Sequence, residues 1–186
     1  MPDHDVVAAL AISLDGYLAE SDGSVGFLEK YPMTDFDFDG FVAGIGGLIM
    51  GSTTYEQAVA WGWGWDWGWG HLPTMVLTTR TGLPIPDGAD VTFSSLPTPK
   101  AIRSYSAATP NRLWVFGGGN VITAGLQGGA IDTLDLTVMP EALGNGIPLF
   151  TGPVPGPIEL VQTTPYDNGA VRLVYRVGGR PPDTPS

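Results

Sequence analysis

Apolar positions along the chain fall into short, dense blocks separated by glycine- and proline-rich connections, and several of those connections carry helical spacing. Val6-Val-Ala-Ala-Leu-Ala-Ile-Ser-Leu14 runs almost without a polar residue and stops at Asp15-Gly16. A run of that length with no alternation predicts a strand covered on both faces. Gly47–Gly51, Thr74–Thr79 and Leu113–Phe116 read the same way, Val91–Phe93 as a shorter strand, and Thr133–Met139 as a strand with alternation. Between them, helices are predicted over about 53–60, 99–107 and 120–126. A further helix is expected to begin at Asp35, a suitable N-cap with acids in the turn that follows. Asp15–Pro32 reads as a long polar connection. Leu160–Thr164 and Val171–Val177 flank Asp167-Asn-Gly169, a strong hairpin turn.

Strands alternate with helices until the end, where two strands pair. That order predicts an α/β protein with a mostly parallel sheet and an antiparallel C-terminal hairpin. A single domain over residues 1–178 and a Pro-rich tail over 179–186 complete the expected organisation.

Charge and composition narrow the function. The net charge is -11, with 19 acids against 8 bases, so nucleic acid and anionic membrane surfaces are poor partners. The imbalance is concentrated in residues 1–79, where eleven acids face the single cation Lys30, while residues 80–186 carry eight acids and seven bases. With no cysteine and only His4 and His71, thiolate chemistry and a histidine metal site are not expected. No apolar stretch is long enough to cross a bilayer. The first residues lack the cationic start of a secretory signal, so a cytoplasmic protein is expected.

Two junctions carry candidate chemistry. Val115-Phe-Gly-Gly-Gly-Asn-Val121 is a buried strand that ends in three glycines before a helix, which lets backbone N–H groups approach an anion. An ordinary glycine turn is the alternative. Gly51-Ser-Thr-Thr54 repeats the arrangement with hydroxyl groups, and Thr53 with Glu56 fits a capping box, so a simple cap cluster is an equal reading. Two such junctions are what a dinucleotide pyrophosphate needs. Thr78-Thr79-Arg80 ends a third strand with a guanidinium suited to bidentate anion contact, or with an ordinary surface arginine.

Taken in order, Ala8-Ala-Leu-Ala-Ile-Ser-Leu-Asp-Gly16, Ile49-Met-Gly-Ser-Thr-Thr-Tyr55, Val76-Leu-Thr-Thr-Arg80, Val115-Phe-Gly-Gly-Gly119 and Leu134–Pro140 running to Gly144–Phe150 resemble the dihydrofolate reductase-like superfamily. The resemblance is strongest to the branch typified by the C-terminal reductase domain of bifunctional riboflavin-biosynthesis proteins. It implies a three-layer dihydrofolate reductase-like fold and an NADPH-dependent reductase acting on a ribosylamino-pyrimidine or related heterocycle. It also implies a homodimer, since relatives are commonly dimeric.

Residue by residue, the resemblance sets the backbone of Ala9 at the nicotinamide carboxamide. Gly51, Ser52, Thr53 and Thr54 would lie along the pyrophosphate, opposite Gly117, Gly118, Gly119 and Asn120. Thr78, Thr79 and Arg80 would surround the adenosine ribose and its 2′-phosphate. Asp35 and Thr137 match a carboxylate and a threonine that serve proton delivery in folate-reducing relatives, and Asp15 could contact the ribosyl or pyrimidine part. As alternatives, Asp35 is a helix cap and Asp15 a turn residue.

Ser52 and Asn120 stand where folate-using relatives often carry a base, and no arginine precedes Arg80 to hold a glutamate tail. Dihydrofolate reduction is therefore the second reading, and a non-catalytic dinucleotide-binding oligomeric module the third. Trp61, Trp63, Trp65, Trp67 and Trp69 would share one face of an extended chain. Packing on the chain's own core or on a second subunit is favoured for them over ligand stacking.

Overall fold

The computed structural model describes residues 5–32, 36–62 and 69–178. Its elements in chain order are β1 (Val6–Ile12), β2 (Tyr17–Ala19), a 3-10 turn at Gly26–Leu28, α1 (Phe38–Ala43), β3 (Ile45–Gly51), α2 (Ser52–Ala60), β4 (Thr74–Leu77) and β5 (Val91–Ser94). They continue with α3 (Thr98–Ala108), β6 (Arg112–Gly117), α4 (Gly119–Gln127), β7 (Thr133–Val138), β8 (Ile147–Pro148), β9 (Ile158–Pro165) and β10 (Val171–Val177). Eight strands form one sheet in the order β5-β4-β3-β6-β1-β7-β10-β9, and β2 pairs with β8 in a small second sheet. All pairings from β5 to β7 are parallel, and β10 runs antiparallel to both β7 and β9. The mostly parallel sheet with an antiparallel C-terminal pair is thus the observed architecture.

The unbroken apolar strands follow from cover on both faces. Ala8, Ile49, Leu113, Val115 and Leu134 point to one side, where they pack with Ile102 of α3 and Ile122 and Leu126 of α4. Val7, Leu48, Met50, Val76 and Trp114 point to the other, where they meet Val42 of α1 and Tyr55 and Ala58 of α2. Helices on both faces hold the central strand ends in place. That rigidity is what a site at the C-terminal edge of the sheet requires.

Three expectations are corrected. Helix α1 starts at Phe38 and its N-cap is Asp37, whose carboxylate accepts the Gly40 N–H at 3.3 Å. The cap role therefore belongs two residues beyond Asp35, which itself lies outside the described residues. The 15–32 connection contains β2, paired with β8. Strand β1 ends at Ile12, because Ser13 enters a turn in which its N–H donates to the Tyr17 carbonyl (2.9 Å), leaving Leu14 exposed.

Strand β3 starts earlier than Gly47, and its register against β6 shifts between Ile45 and Gly47. At Gly46 a Cβ would stand 2.8 Å from both the Asn111 backbone nitrogen and Thr109 Cγ2. Backbone cannot give way as a side-chain end can. Gly46→Ala is therefore expected to destabilise the fold by about 1–3 kcal/mol, measured as a lower urea midpoint at unchanged slope. An unaltered midpoint would show that β6 can move aside.

Candidate functional site

Pairing of β3 with β6 sets Met50 beside Gly117, so the two strand-to-helix junctions open side by side. The residue before each helix is a glycine, Gly51 for α2 and Gly118 for α4. A glycine cap has no side chain to accept the leading N–H groups, which are left to water or to a ligand. Both helix dipoles add positive potential at the same place. The expected capping box between Thr53 and Glu56 does not form, because Gly51 caps α2 and Glu56 is held by Arg80.

The glycines are sites of close approach. A Cβ on Gly118 would lie 3.3 Å from Thr54 Oγ1, one on Gly51 would lie 3.2 Å from Val121 Cγ2, and one on Gly119 would lie 2.5 Å from the Pro148 carbonyl oxygen. Gly117 has a φ of 137°, in the region that L side chains rarely adopt, and the Gly117–Gly118 peptide is cis. Gly51, Ser52, Thr53, Thr54, Gly117, Gly118, Gly119 and Asn120 are thus brought to one edge. Thr53 and Asn120 are exposed there, and Ser52 and Thr54 are half-buried.

On one flank lies the loop after β4. Thr78 donates its N–H to the Ser94 carbonyl at 2.9 Å, and its Oγ1 accepts the Arg80 N–H at 3.0 Å. Thr79 is exposed. Arg80 forks onto Glu56, with Nη1–Oε1 at 3.1 Å and Nη2–Oε2 at 2.6 Å. The hydrogen bonds and the opposite charge lower the Glu56 pKa and raise that of Arg80.

On the other flank β1 and β6 pair only at Val6–Leu113 and Val7–Trp114, while β1 stays paired with β7 up to Ile12–Val138. Where β1 and β6 part, the Trp114 indole N–H donates to the Ala9 carbonyl at 2.8 Å. At least one of the two lone pairs of that carbonyl is therefore used within the chain. Trp114 also anchors an aromatic wall, with Phe41, Phe116 and Phe38 at ring-centroid distances of 5.0, 4.9 and 5.9 Å.

The rim above this flank is stitched by carboxylates. Asp15 Oδ1 accepts the Ser13 hydroxyl at 2.7 Å and the Leu143 N–H at 3.1 Å, and Oδ2 accepts the Gly144 N–H at 2.7 Å. Those bonds, the Ser13 hydroxyl foremost, lower its pKa to about 2. Both Asp15 oxygens are thus engaged in tying the β1–β2 turn to the loop before β8. Glu141 on that loop receives Lys30 Nζ at 2.6 Å and the Tyr31 hydroxyl at 2.8 Å.

One pair escaped the sequence reading. Asp135 on β7 is buried, and Arg172 on β10 forks onto it, with Nε–Oδ1 at 2.7 Å and Nη2–Oδ2 at 2.5 Å. Register places Arg172 directly opposite Thr137, which is in turn beside Ala11 of β1. A guanidinium therefore stands next to the predicted threonine, on the sheet face that carries Ala9. Its pKa is raised, first by the Asp135 hydrogen bonds. The only signal in the sequence was one acid in β7 and two bases, Arg172 and Arg176, in β10 among mostly apolar neighbours.

Asp35 falls outside the described residues, as do Trp63, Trp65 and Trp67. At the ends of the tryptophan run, Trp69 is buried against Phe116 at 5.0 Å, whereas Trp61 is 43% exposed. These two do not share a face, and Trp69 is part of the core. Among the described residues no cluster of three His, Asp or Glu side chains is placed to hold a metal, and no helix is long and apolar enough to cross a membrane.

Comparison with known proteins agrees with this geometry. The chain is similar to the uncharacterised protein YwjB of Bacillus subtilis, at 28% identity over 156 residues, covering 80% of this chain and 83% of YwjB. Its structure is similar to a putative riboflavin biosynthesis protein from Shewanella, with a TM-score of 0.74 at 25% identity, over 93% of this chain and 98% of the other. It also matches dihydrofolate reductase from Enterococcus faecalis, with a TM-score of 0.63 at 19% identity over 94% and 97% of the two chains, a likeness of fold. The model of the RibD C-terminal domain matches residues 4–172, and with the paired glycine junctions in place the chain belongs to the RibD C-terminal domain family.

Proposed function

We propose that the protein is a nicotinamide-dinucleotide-dependent reductase of the riboflavin-biosynthesis type, acting on a ribosylamino-pyrimidine or a related heterocycle, with NADPH as cofactor. The observation that carries this reading is the meeting of two glycine-capped helix N-termini at the ends of β3 and β6, with Gly118 against Thr54. The glycines let the two helix starts approach this closely, so that a pyrophosphate could lie across both. Ser52, Thr53 and Thr54 would hold it from one side, and Gly117, Gly118, Gly119 and Asn120 from the other. Thr78, Thr79 and Arg80 would receive the adenosine ribose and its 2′-phosphate.

When bound, the dinucleotide supplies the hydride. The chain's own work is orientation and charge placement. Ala9, fixed by the Trp114 indole, would meet the carboxamide with its backbone. The apolar wall of Phe38, Phe41 and Trp114 would keep water from a nicotinamide bound there. The substrate would lie over the Thr137–Arg172 surface, where Asp135 holds the guanidinium in one orientation with the Tyr166 side chain beside it. Asp35 is the carboxylate assigned to proton delivery, with Thr137 assisting, and Asp15 acts by holding the rim. A homodimer suits the edge strand β9, which exposes Ile158, Leu160 and Val161; a monomer mass by light scattering at micromolar concentration would exclude it.

Steady-state turnover, followed by loss of nicotinamide absorbance, tests the reading. The deaminated ribosylamino-pyrimidine is expected to be reduced, and preferential reduction of dihydrofolate would reverse the assignment. Ser52→Glu separates binding from folding. An acid at the start of α2 is expected to leave stability unchanged or raise it by about 0.3–1 kcal/mol. The same acid should weaken NADPH by at least about tenfold through repulsion of the pyrophosphate, and calorimetry showing unchanged affinity would remove α2 from the site. Arg172→Lys keeps the charge but loses the fork. It should raise the substrate KM by roughly 10- to 150-fold, the cost of a charged bond of about 1.5–3 kcal/mol, with dinucleotide Kd unchanged. A change in dinucleotide Kd alone would place the guanidinium elsewhere.

A further inference from the structure

Arg80 and Glu56 meet edge to edge beside the pyrophosphate cleft, and each side chain stays about half exposed, at 50% and 46%. An exposed pair of this kind contributes little to folding. Its backbone is nevertheless held, since the Arg80 N–H is bonded to Thr78 Oγ1 and Glu56 lies in the second turn of α2. The loop after β4 is one strand from β3, about 4.8 Å across the sheet. A dinucleotide with its pyrophosphate at the α2 and α4 starts and its nicotinamide over β1 carries its adenosine ribose over β4, to this pair.

The two side chains read opposite forms of that ribose. A carboxylate accepts a 2′-hydroxyl, whereas a guanidinium takes a 2′-phosphate. Here each occupies the other. Glu56 fills the Nη1–Nη2 edge of Arg80 and offsets its charge, so a 2′-phosphate must displace Glu56 or take the Nε side next to that carboxylate. A 2′-hydroxyl meets no such repulsion. Ser52 and Asn120, at the starts of the two helices, add no cation to offset it.

We propose that Glu56 sets the dinucleotide selectivity of this protein by holding Arg80, which lowers its preference for NADPH over NADH. This rests on the dinucleotide reading above. The test is calorimetric titration of the full chain with NADPH and with NADH, for the unaltered protein, Glu56→Gln, Arg80→Gln and the double variant. Glu56→Gln is expected to raise the ratio of NADPH to NADH affinity by about tenfold, equivalent to one removed charged competitor of about 1.4 kcal/mol. In the Arg80→Gln background the same change should raise the ratio by distinctly less, because only the direct repulsion of the 2′-phosphate is then relieved. An unchanged ratio in Glu56→Gln, or an equal rise without Arg80, overturns the inference while leaving dinucleotide binding intact. Failure of the unaltered protein to bind either dinucleotide overturns both.

Discussion

The close abutment of two helix starts at the paired ends of β3 and β6 is the constraint on which the rest of the structure depends. Gly118 faces Thr54 at a distance that leaves little room for a larger residue, and Gly119 lies under the Pro148 carbonyl. Such an approach persists only if both strands are immobile. The burial of β3 and β6 between α1 and α2 on one face and α3 and α4 on the other provides that. The core therefore bears on function directly, because it brings two glycine-capped helix starts together without a side chain from either cap between them.

Charge takes on a different meaning once the strands are placed. Counted along the chain, the acids gather before residue 80 and the cations after it. In space β10 returns beside β7, so Arg172 enters the face that chain order assigned to acids alone. Its partner Asp135 is buried, and the fork between them orients the guanidinium while offsetting its charge. Lys30 and Arg80 are likewise paired with carboxylates. The site thus offers directed donors with little net positive charge, which suits a heterocycle with polar edges better than a polyanion.

Elements built on dense apolar runs were legible. The runs Val6–Leu14, Thr74–Thr79 and Leu113–Phe116 contain or overlap the parallel strands Val6–Ile12, Thr74–Leu77 and Arg112–Gly117, and the Asp167-Asn-Gly169 turn joined β9 to β10. The glycine junctions were legible too, because strand, glycine and helix lie within a few residues of one another. What escaped depends on contacts distant in sequence. Asp135 and Arg172 are 37 residues apart and meet only through the register of β7 with β10. Glu56 looked like the end of a capping box, but the guanidinium of Arg80, 24 residues away, captured it. Strands β2 and β8 are three and two residues long, too short for any period to show. Asp15 read as either a turn or a substrate contact, and its three donors come from Ser13 and from the distant loop before β8.

The central claim is that the α2 and α4 starts form a single dinucleotide cradle. Backbone amide chemical shifts recorded by NMR during NADPH titration test it most directly. The account predicts that Ser52, Thr53, Thr54, Gly118, Gly119 and Asn120 shift together, along one binding curve, with the opposite edge at β9 unaffected. Saturable binding that leaves these six amides in place would contradict it.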